Sequence, residues 1–252
     1  MKRWIALFFF VFAFWGCGSK SASKPSGYLI GRDTSWFPLQ FGEQAIAING
    51  FTNKLVQEIG KKEEITMNIV DIDWLQLFYS LDEEEVEGIF TSIPPTVESQ
   101  AVYSFSEPFL LLGPVLVVPI ESKASSLEDL SGKIVGVNQF DDSVLVVQKY
   151  PSIVIELYQN IPMALEALSQ GAYDGLLIPN LDAHTLVPHL YRNQLKIVTL
   201  PLNNKALRLI TLKDEHKKLI ESFNKGLKEL FESSQYKETL EQFGLPRVNS
   251  IS

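Results

Sequence analysis

The chain's sequence predicts an α/β protein with largely parallel sheets. Two patterns carry that prediction: short apolar runs recur along most of the chain, and segments of helical period separate them. A third observation, a small polar stretch over residues 19–27, marks where the folded part begins.

The first element is a leader. Lys2 and Arg3 precede an unbroken apolar run from Trp4 to Trp15, and Gly16-Cys17-Gly18 follows. A basic start, a short apolar run and a small residue before the cut make an export signal over residues 1–16. The run is too short to cross a hydrocarbon core of about 30 Å, which needs about 20 residues. Cys17, the single cysteine of the chain, resembles the acylated cysteine of a bacterial lipobox, with Phe14 and Trp15 standing where that motif carries Leu and a small residue. The expectation is an exported lipoprotein, periplasmic and anchored to a bacterial membrane through Cys17, with residues 17–27 as a flexible tether. An ordinary cleaved leader beside an unmodified cysteine is the alternative.

After the tether, strands are predicted at 28–32, 65–70, 88–91, 115–119, 133–137, 152–157, 173–178, 196–200 and 207–212. The clearest helix begins just beyond 152–157. Ile161, Ala164, Leu165 and Leu168 follow i, i+3, i+4, i+7, with Asn160 at the N-cap, Pro162 in the first turn and Gly171 past the end. Leu219, Ile220, Phe223, Leu227 and Phe231 predict a longer amphipathic helix near the C-terminus. The acidic run 82–85 reads as a solvated turn at a helix end. Acidic residues outnumber basic ones by 30 to 22, and the leader takes Lys2 and Arg3 with it. That balance argues against nucleic acid, which wants a basic stripe. A lone cysteine excludes an intramolecular disulfide, and a domain of this size needs none.

Four segments carry a resemblance. Asp33-Thr34-Ser35-Trp36-Phe37-Pro38 follows the first strand, Gly50-Phe51 opens a helical stretch, Phe105-Ser106-Glu107-Pro108-Phe109 lies mid-chain, and Leu127-Glu128-Asp129-Leu130-Ser131-Gly132-Lys133-Ile134-Val135-Gly136-Val137 leads into a strand. In that order they resemble, over residues 28–245, the bacterial extracellular solute-binding proteins of family 3, which deliver polar amino acids to ABC importers. The resemblance implies a two-lobed periplasmic-binding-protein fold of type II, its two mostly parallel sheets joined by a two-strand hinge. Lobe one would take residues 28–112 plus 206–252 and lobe two 113–205, with closure at 110–114 and 201–205. The ligand would lie at the carboxyl ends of the strands. The partners so implied are a small polar solute, an amino acid or a derivative, and ABC permease subunits; the protein would be a monomer without cofactor.

In that family an aromatic pair sandwiches the ligand, and Trp36 and Trp74 fall on those positions. Large rigid rings give contact area and can face a cation; two core tryptophans are the alternative. Asp33 matches a polar ligand contact, or else caps the next turn. The charged clamp is altered. The family's carboxylate-binding Arg lies three residues after a Thr, whereas Thr96 is followed by Val97, Glu98 and Ser99. Upstream, the family's Gly-x-Thr becomes Ser92-Ile93-Pro94, where Pro94 removes a backbone donor. Pro179-Asn180 stands where an ammonium-binding Asp is expected, and Asn138-Gln139-Phe140-Asp141-Asp142 replaces a Gly-Thr loop. Serine offers neither charge nor a fork, and losing a charge-assisted pair in a desolvated cleft costs about 2–5 kcal/mol. The candidate contacts are therefore Asp33, Trp36, Trp74, Thr91, Ser92, Ser99, Asn138, Asp141, Asp142 and Asn180. Asp141 and Asp142 favour a cationic or hydrogen-bonding neutral ligand, or else cap the following helix.

Other chemistry is thin. His184, His189 and His216 are scattered, and the chain has no H-E-x-x-H, G-x-S-x-G or P-loop pattern. The expected function is the substrate-binding lipoprotein of an ABC importer with an altered or lost α-amino acid clamp, and not an enzyme. The alternatives are a sensory or binding lipoprotein on the same scaffold and a cleft enzyme such as a dehydratase.

Overall fold

The computed structural model of the protein describes residues 27–39 and 41–246. The predicted leader, Cys17 and nearly all of the tether lie outside the described residues.

Two sheets organise the chain. The first holds β1 (Tyr28–Arg32), β2 (Met67–Asp71), β3 (Gly88–Thr91), β4 (Tyr103–Phe105), β5 (Leu110–Leu111) and β11 (Ala206–Leu212), ordered β2-β1-β3-β11-β4 with β5 also on β11. The second holds β6 (Pro114–Pro119), β7 (Ile134–Asn138), β8 (Val154–Tyr158), β9 (Gly175–Pro179) and β10 (Leu195–Ile197), ordered β10-β6-β9-β7-β8. Helices α1 (Gln44–Glu63), α2 (Trp74–Asp82), α3 (Val97–Val102), α7 (Lys217–Glu232) and α8 (Gln235–Gln242) belong with the first sheet. Helices α4 (Ser143–Val147), α5 (Ile161–Ser169) and α6 (Asn180–Leu190) belong with the second.

Every predicted strand forms, most within two residues of the expected limits. β10 stops earlier, at Ile197, because the Thr199 hydroxyl accepts the Leu116 N–H at 2.9 Å in place of a backbone carbonyl. β4 and β5 were not predicted; strands of three and two residues are too short to show alternation.

The sheets are mixed rather than largely parallel. β1 runs parallel to β2 and β3, and β7 to β8 and β9. β11 is antiparallel to β3, β4 and β5, and β6 to β9 and β10. The cause is the double crossing between lobes. The parallel strands end toward the other lobe, whereas β6 and β11 enter their sheets from that side and must run the opposite way. Pro114 at the start of β6 accordingly pairs with Pro179 at the end of β9, and Arg208 of β11 with Thr91 at the end of β3.

The two crossing segments are bonded side by side. Leu112 and Gly113 both donate to the Lys205 carbonyl, at 2.9 and 3.1 Å, and Leu202 donates to Pro114 at 2.9 Å. A Cβ on residue 113 would overlap Asn203 Oδ1 and come within 3.0 Å of its carbonyl, so glycine lets the two crossings approach closely.

Local signals place the helices. The Asn160 side chain accepts the Met163 N–H at 3.0 Å, and Gly171 turns past the end of α5 with φ +83°. Phe51 lies in the lobe-one core with Phe90, Phe109 and Phe223, while Gly50 lets the Phe243 ring of the C-terminal segment approach α1; a Cβ there would come within 2.5 Å of it. On α7, Leu219, Phe223 and Leu227 are buried as expected, but Leu230 rather than Phe231 continues the face. Eleven residues make three helical turns, so Leu230 lies below Leu219, and Phe231, 40% exposed, packs instead on Tyr236 of α8 at 4.4 Å. The acidic run 82–85 is exposed and turns through Glu84 at φ 55°.

Candidate ligand-binding site

The carboxyl ends of β1 and β3 frame a crevice in lobe one, lined by Asp33, Trp36, Phe37, Trp74, Thr91 and Ser92 among others. Its volume is only about 10 Å³, room for one water.

The two tryptophans differ. Trp36 is 3% exposed and sits within the lobe-one core, its backbone left-handed at φ 60°. Its indole N–H donates to Asn49 Oδ1 at 2.8 Å, and Asn49 in turn donates to the Thr34 carbonyl at 2.9 Å. Trp74 begins α2, whose N-cap Asp73 accepts the Leu75 N–H at 3.0 Å. It is half-buried, with the Phe37 and Phe78 rings each 5.2 Å away. Phe37, 53% exposed, is the more open ring. Sequence reasoning did not place it in the site, although it directly follows Trp36 in the motif.

Asp33 is occupied by its own loop. One oxygen accepts from Ser35 Oγ at 2.6 Å and Phe37 N at 2.9 Å, and the other from Ser35 N at 3.2 Å. Thr91 is buried and its hydroxyl oxygen accepts the Ile93 N–H at 3.3 Å. Ser92 lies beside it in the crevice lining. Ser99 is half-buried and forms a capping box for α3: its N–H donates to Thr96 Oγ1 at 3.2 Å, its Oγ accepts the Thr96 N–H at 2.9 Å, and it donates to the Pro94 carbonyl at 2.7 Å.

The lobe-two loop is likewise bonded within the protein. Asn138 Oδ1 accepts the Phe140 N–H at 2.9 Å, and Asp141 Oδ1 accepts the Ser143 N–H at 2.7 Å, at the start of α4. Asp142 accepts from Asn203 at 2.9 Å and lies 3.7 Å from the Lys205 ammonium, so its charge is turned toward the returning crossing. Asn180 is fully buried; its side chain donates to the Leu111 carbonyl at 2.9 Å and its backbone to Gly113 at 3.2 Å, tying α6 to the outgoing crossing.

A larger cavity of about 440 Å³ opens beside the crossings, within the range of small-ligand sites. Leu39, Phe41 and Gln44 line it from lobe one, Leu181 and Asp182 from lobe two, and Leu112 and Lys205 from the crossings. Burial holds the Asp182 carboxyl above its ordinary range. Sequence reasoning missed Asp182; its signal was an acid in the first turn after Pro179-Asn180. The crevice thus gathers Asp33, Trp36, Trp74, Thr91 and Ser92, while Asn138, Asp141 and Asp142 share one loop of the other lobe, and Asn180, at the start of α6, is bonded to the crossing. Among the described residues no cluster of His, Cys, Asp and Glu could hold a metal, and no helix is long and apolar enough to cross a membrane.

Residues 28–246 match the sequence profile of the bacterial extracellular solute-binding proteins, family 3. The arginine-binding extracellular protein ArtP of Bacillus subtilis (strain 168) is 29% identical over 143 residues, covering 54% of this chain and 56% of that protein. A probable histidine-binding protein of Neisseria gonorrhoeae is 23% identical over 251 residues, 94% of this chain and 93% of its own. Among solved structures, the unliganded, open L-cystine solute receptor of N. gonorrhoeae superposes with a TM-score of 0.68 at 17% identity, covering 88% of this chain and 94% of that one. A polar amino acid ABC uptake transporter substrate-binding protein of Streptococcus thermophilus superposes at 0.66 with 22% identity, covering 88% of each chain. These likenesses show the fold, the two-lobed type II architecture of periplasmic binding proteins.

Proposed function

We propose that this chain, which belongs to the bacterial extracellular solute-binding proteins of family 3, captures a small polar solute between its lobes and delivers it to the permease subunits of an ABC importer. It acts as a monomeric, non-enzymatic receptor held at the membrane by lipid on Cys17, with an altered α-amino acid clamp. The names of its relatives, arginine-, histidine- and cystine-binding proteins, support an amino acid or a related solute. One observation carries the altered clamp. Ser99, at the position of the family's carboxylate-binding arginine, has its hydroxyl engaged in capping α3 and offers no charge. The aromatic surface of Phe37 and Trp74 remains for apolar contact.

Calorimetry with unmodified L-amino acids tests this reading. The expected affinities are tens of micromolar or weaker, on the order set by a lost charge-assisted pair. Submicromolar binding of any unmodified amino acid overturns the altered clamp. For the anchor, Cys17→Ser should release the protein from the membrane fraction or block its processing; a correctly cleaved variant that stays membrane-bound removes the lipoprotein reading.

A further inference from the structure

Arg208 and Arg32 are both buried arginines of the first sheet, 6% and 4% exposed. Arg32 is ion-paired and well bonded: Nε and Nη2 donate to Asp71 Oδ1 at 3.2 and 2.6 Å, and Nη1 reaches the Asn49 carbonyl and Asn53 Oδ1. Arg208 is not. Among the described residues its one hydrogen bond runs from Nη1 to the Asn204 carbonyl at 3.0 Å, and no carboxylate lies within ion-pair distance. A guanidinium carries five N–H donors, and a buried charge without a counter-ion is costly. Burial depresses its basicity, and the exposed acid Glu107 offsets this only at a distance.

Its place in the sheet says where that group lies. Ile210 pairs with Ile89, and both belong to the core beneath α2 together with Trp74 and Phe78. Side chains alternate along strands, so Arg208 and its partner Thr91, two residues away on each strand, emerge on that same face. Thr91 is the last residue of β3 and lines the aromatic crevice with Ser92. The bond to Asn204 holds the guanidinium near the returning crossing, at the interlobe end of the sheet. Asp142 is already paired with Lys205, and Ser99 is engaged in its cap.

We infer that Arg208 is the anion-holding group of the cleft, and that the solute presents a carboxylate to it. This rests on the reading of the cleft as a solute site and deepens it. The planar fork of a guanidinium suits a carboxylate's two oxygens. The anion is thereby held from the floor of the cleft, on β11, rather than from the start of α3. A carboxylic acid with an apolar or aromatic body fits this arrangement, its anion on Arg208 and its body along Trp74 and Phe37.

Thermal unfolding with sodium acetate as probe, against sodium chloride at equal ionic strength, tests the assignment in wild type, Arg208→Met and Arg208→Gln. A ligand that binds only the native state raises the melting temperature, so acetate should raise that of wild type by a few degrees beyond any shift in either variant. In chloride, Arg208→Met should melt no lower than wild type, since it removes an unpaired buried charge. The Gln variant keeps the assay valid if the Met variant does not fold. Equal acetate shifts in wild type and variants, or none in any, overturn the proposal. The two readings fail separately. Tight binding of a carboxylate solute by wild type and Arg208→Met alike removes Arg208 and leaves the receptor. An acetate shift lost in the variants, with no solute bound and no permease engaged, leaves Arg208 and removes the receptor.

Discussion

The two lobes face each other with different surfaces. Lobe one offers rings, Phe37 against Trp74 against Phe78, carried on a loop whose polar groups bond one another through Asp33, Ser35 and Asn49. Lobe two offers a polar loop whose carboxylates are tied elsewhere, Asp141 to the start of α4 and Asp142 to Asn203 and Lys205 of the crossing. The difference teaches how the work is divided. Lobe one's internal bonds hold an apolar platform in place, and under the proposed function that order lowers the cost of binding. Lobe two's charges are linked to the crossing, so they bear on how the lobes sit together more than on direct ligand contact.

Cutting Trp36 to Ala should have the largest effect, a loss of about 3–5 kcal/mol in folding stability, because a buried ring leaves a cavity and Asn49 loses its donor. Urea denaturation measures it; a loss under about 1 kcal/mol would place Trp36 at the ligand instead and break the contrast between ring and core. Trp74→Ala should cost less stability, since the ring is half-exposed, but weaken solute binding by about 1–3 kcal/mol as a truncated aromatic anchor. Trp36 and Trp74 are the only tryptophans beyond the predicted leader. Emission from a Trp74→Ala protein should therefore be blue-shifted and insensitive to solute, and a retained response would move the platform elsewhere.

The smallest effect belongs to lobe two. Burial raises the Asp182 carboxyl above its unfolded value, so its ionisation opposes folding. Its stabilising share is complete below the unfolded pKa and disappears as pH rises through the folded one. Asp182→Asn should match wild type in acid and be slightly more stable at neutral pH. Melting curves across that range decide it, and a variant less stable than wild type at neutral pH would show that Asp182 has an unseen cationic partner.

Much of the site was legible only as positions. The motif around Asp33 marked a loop that lies beside the crevice. It did not say which of two adjacent aromatics would open outward, because Trp36 and Phe37 differ in backbone conformation, and the left-handed turn at Trp36 sends one ring into the core. The alternative that Asp33 caps its own turn describes the bonds it makes. Ser99 stands where the resemblance leads one to expect an arginine, yet the capping box that engages Ser99 needed coordinates.

By itself, the sequence determined what depends on near neighbours and on inherited pattern: the strand and helix periods, the Asn160 cap, the turn at Gly171, and a family match over residues 28–246. These follow from backbone preferences that act over a few residues. Tertiary structure alone decided the direction of β6 and β11, the pairing of Asp142 with residues some sixty positions away, and the burial of Arg208 beside Thr91 with no acid paired to it among the described residues. Those outcomes depend on which segments meet after the chain crosses twice between lobes, and a partner's distance, unlike a period, leaves no mark on the local sequence.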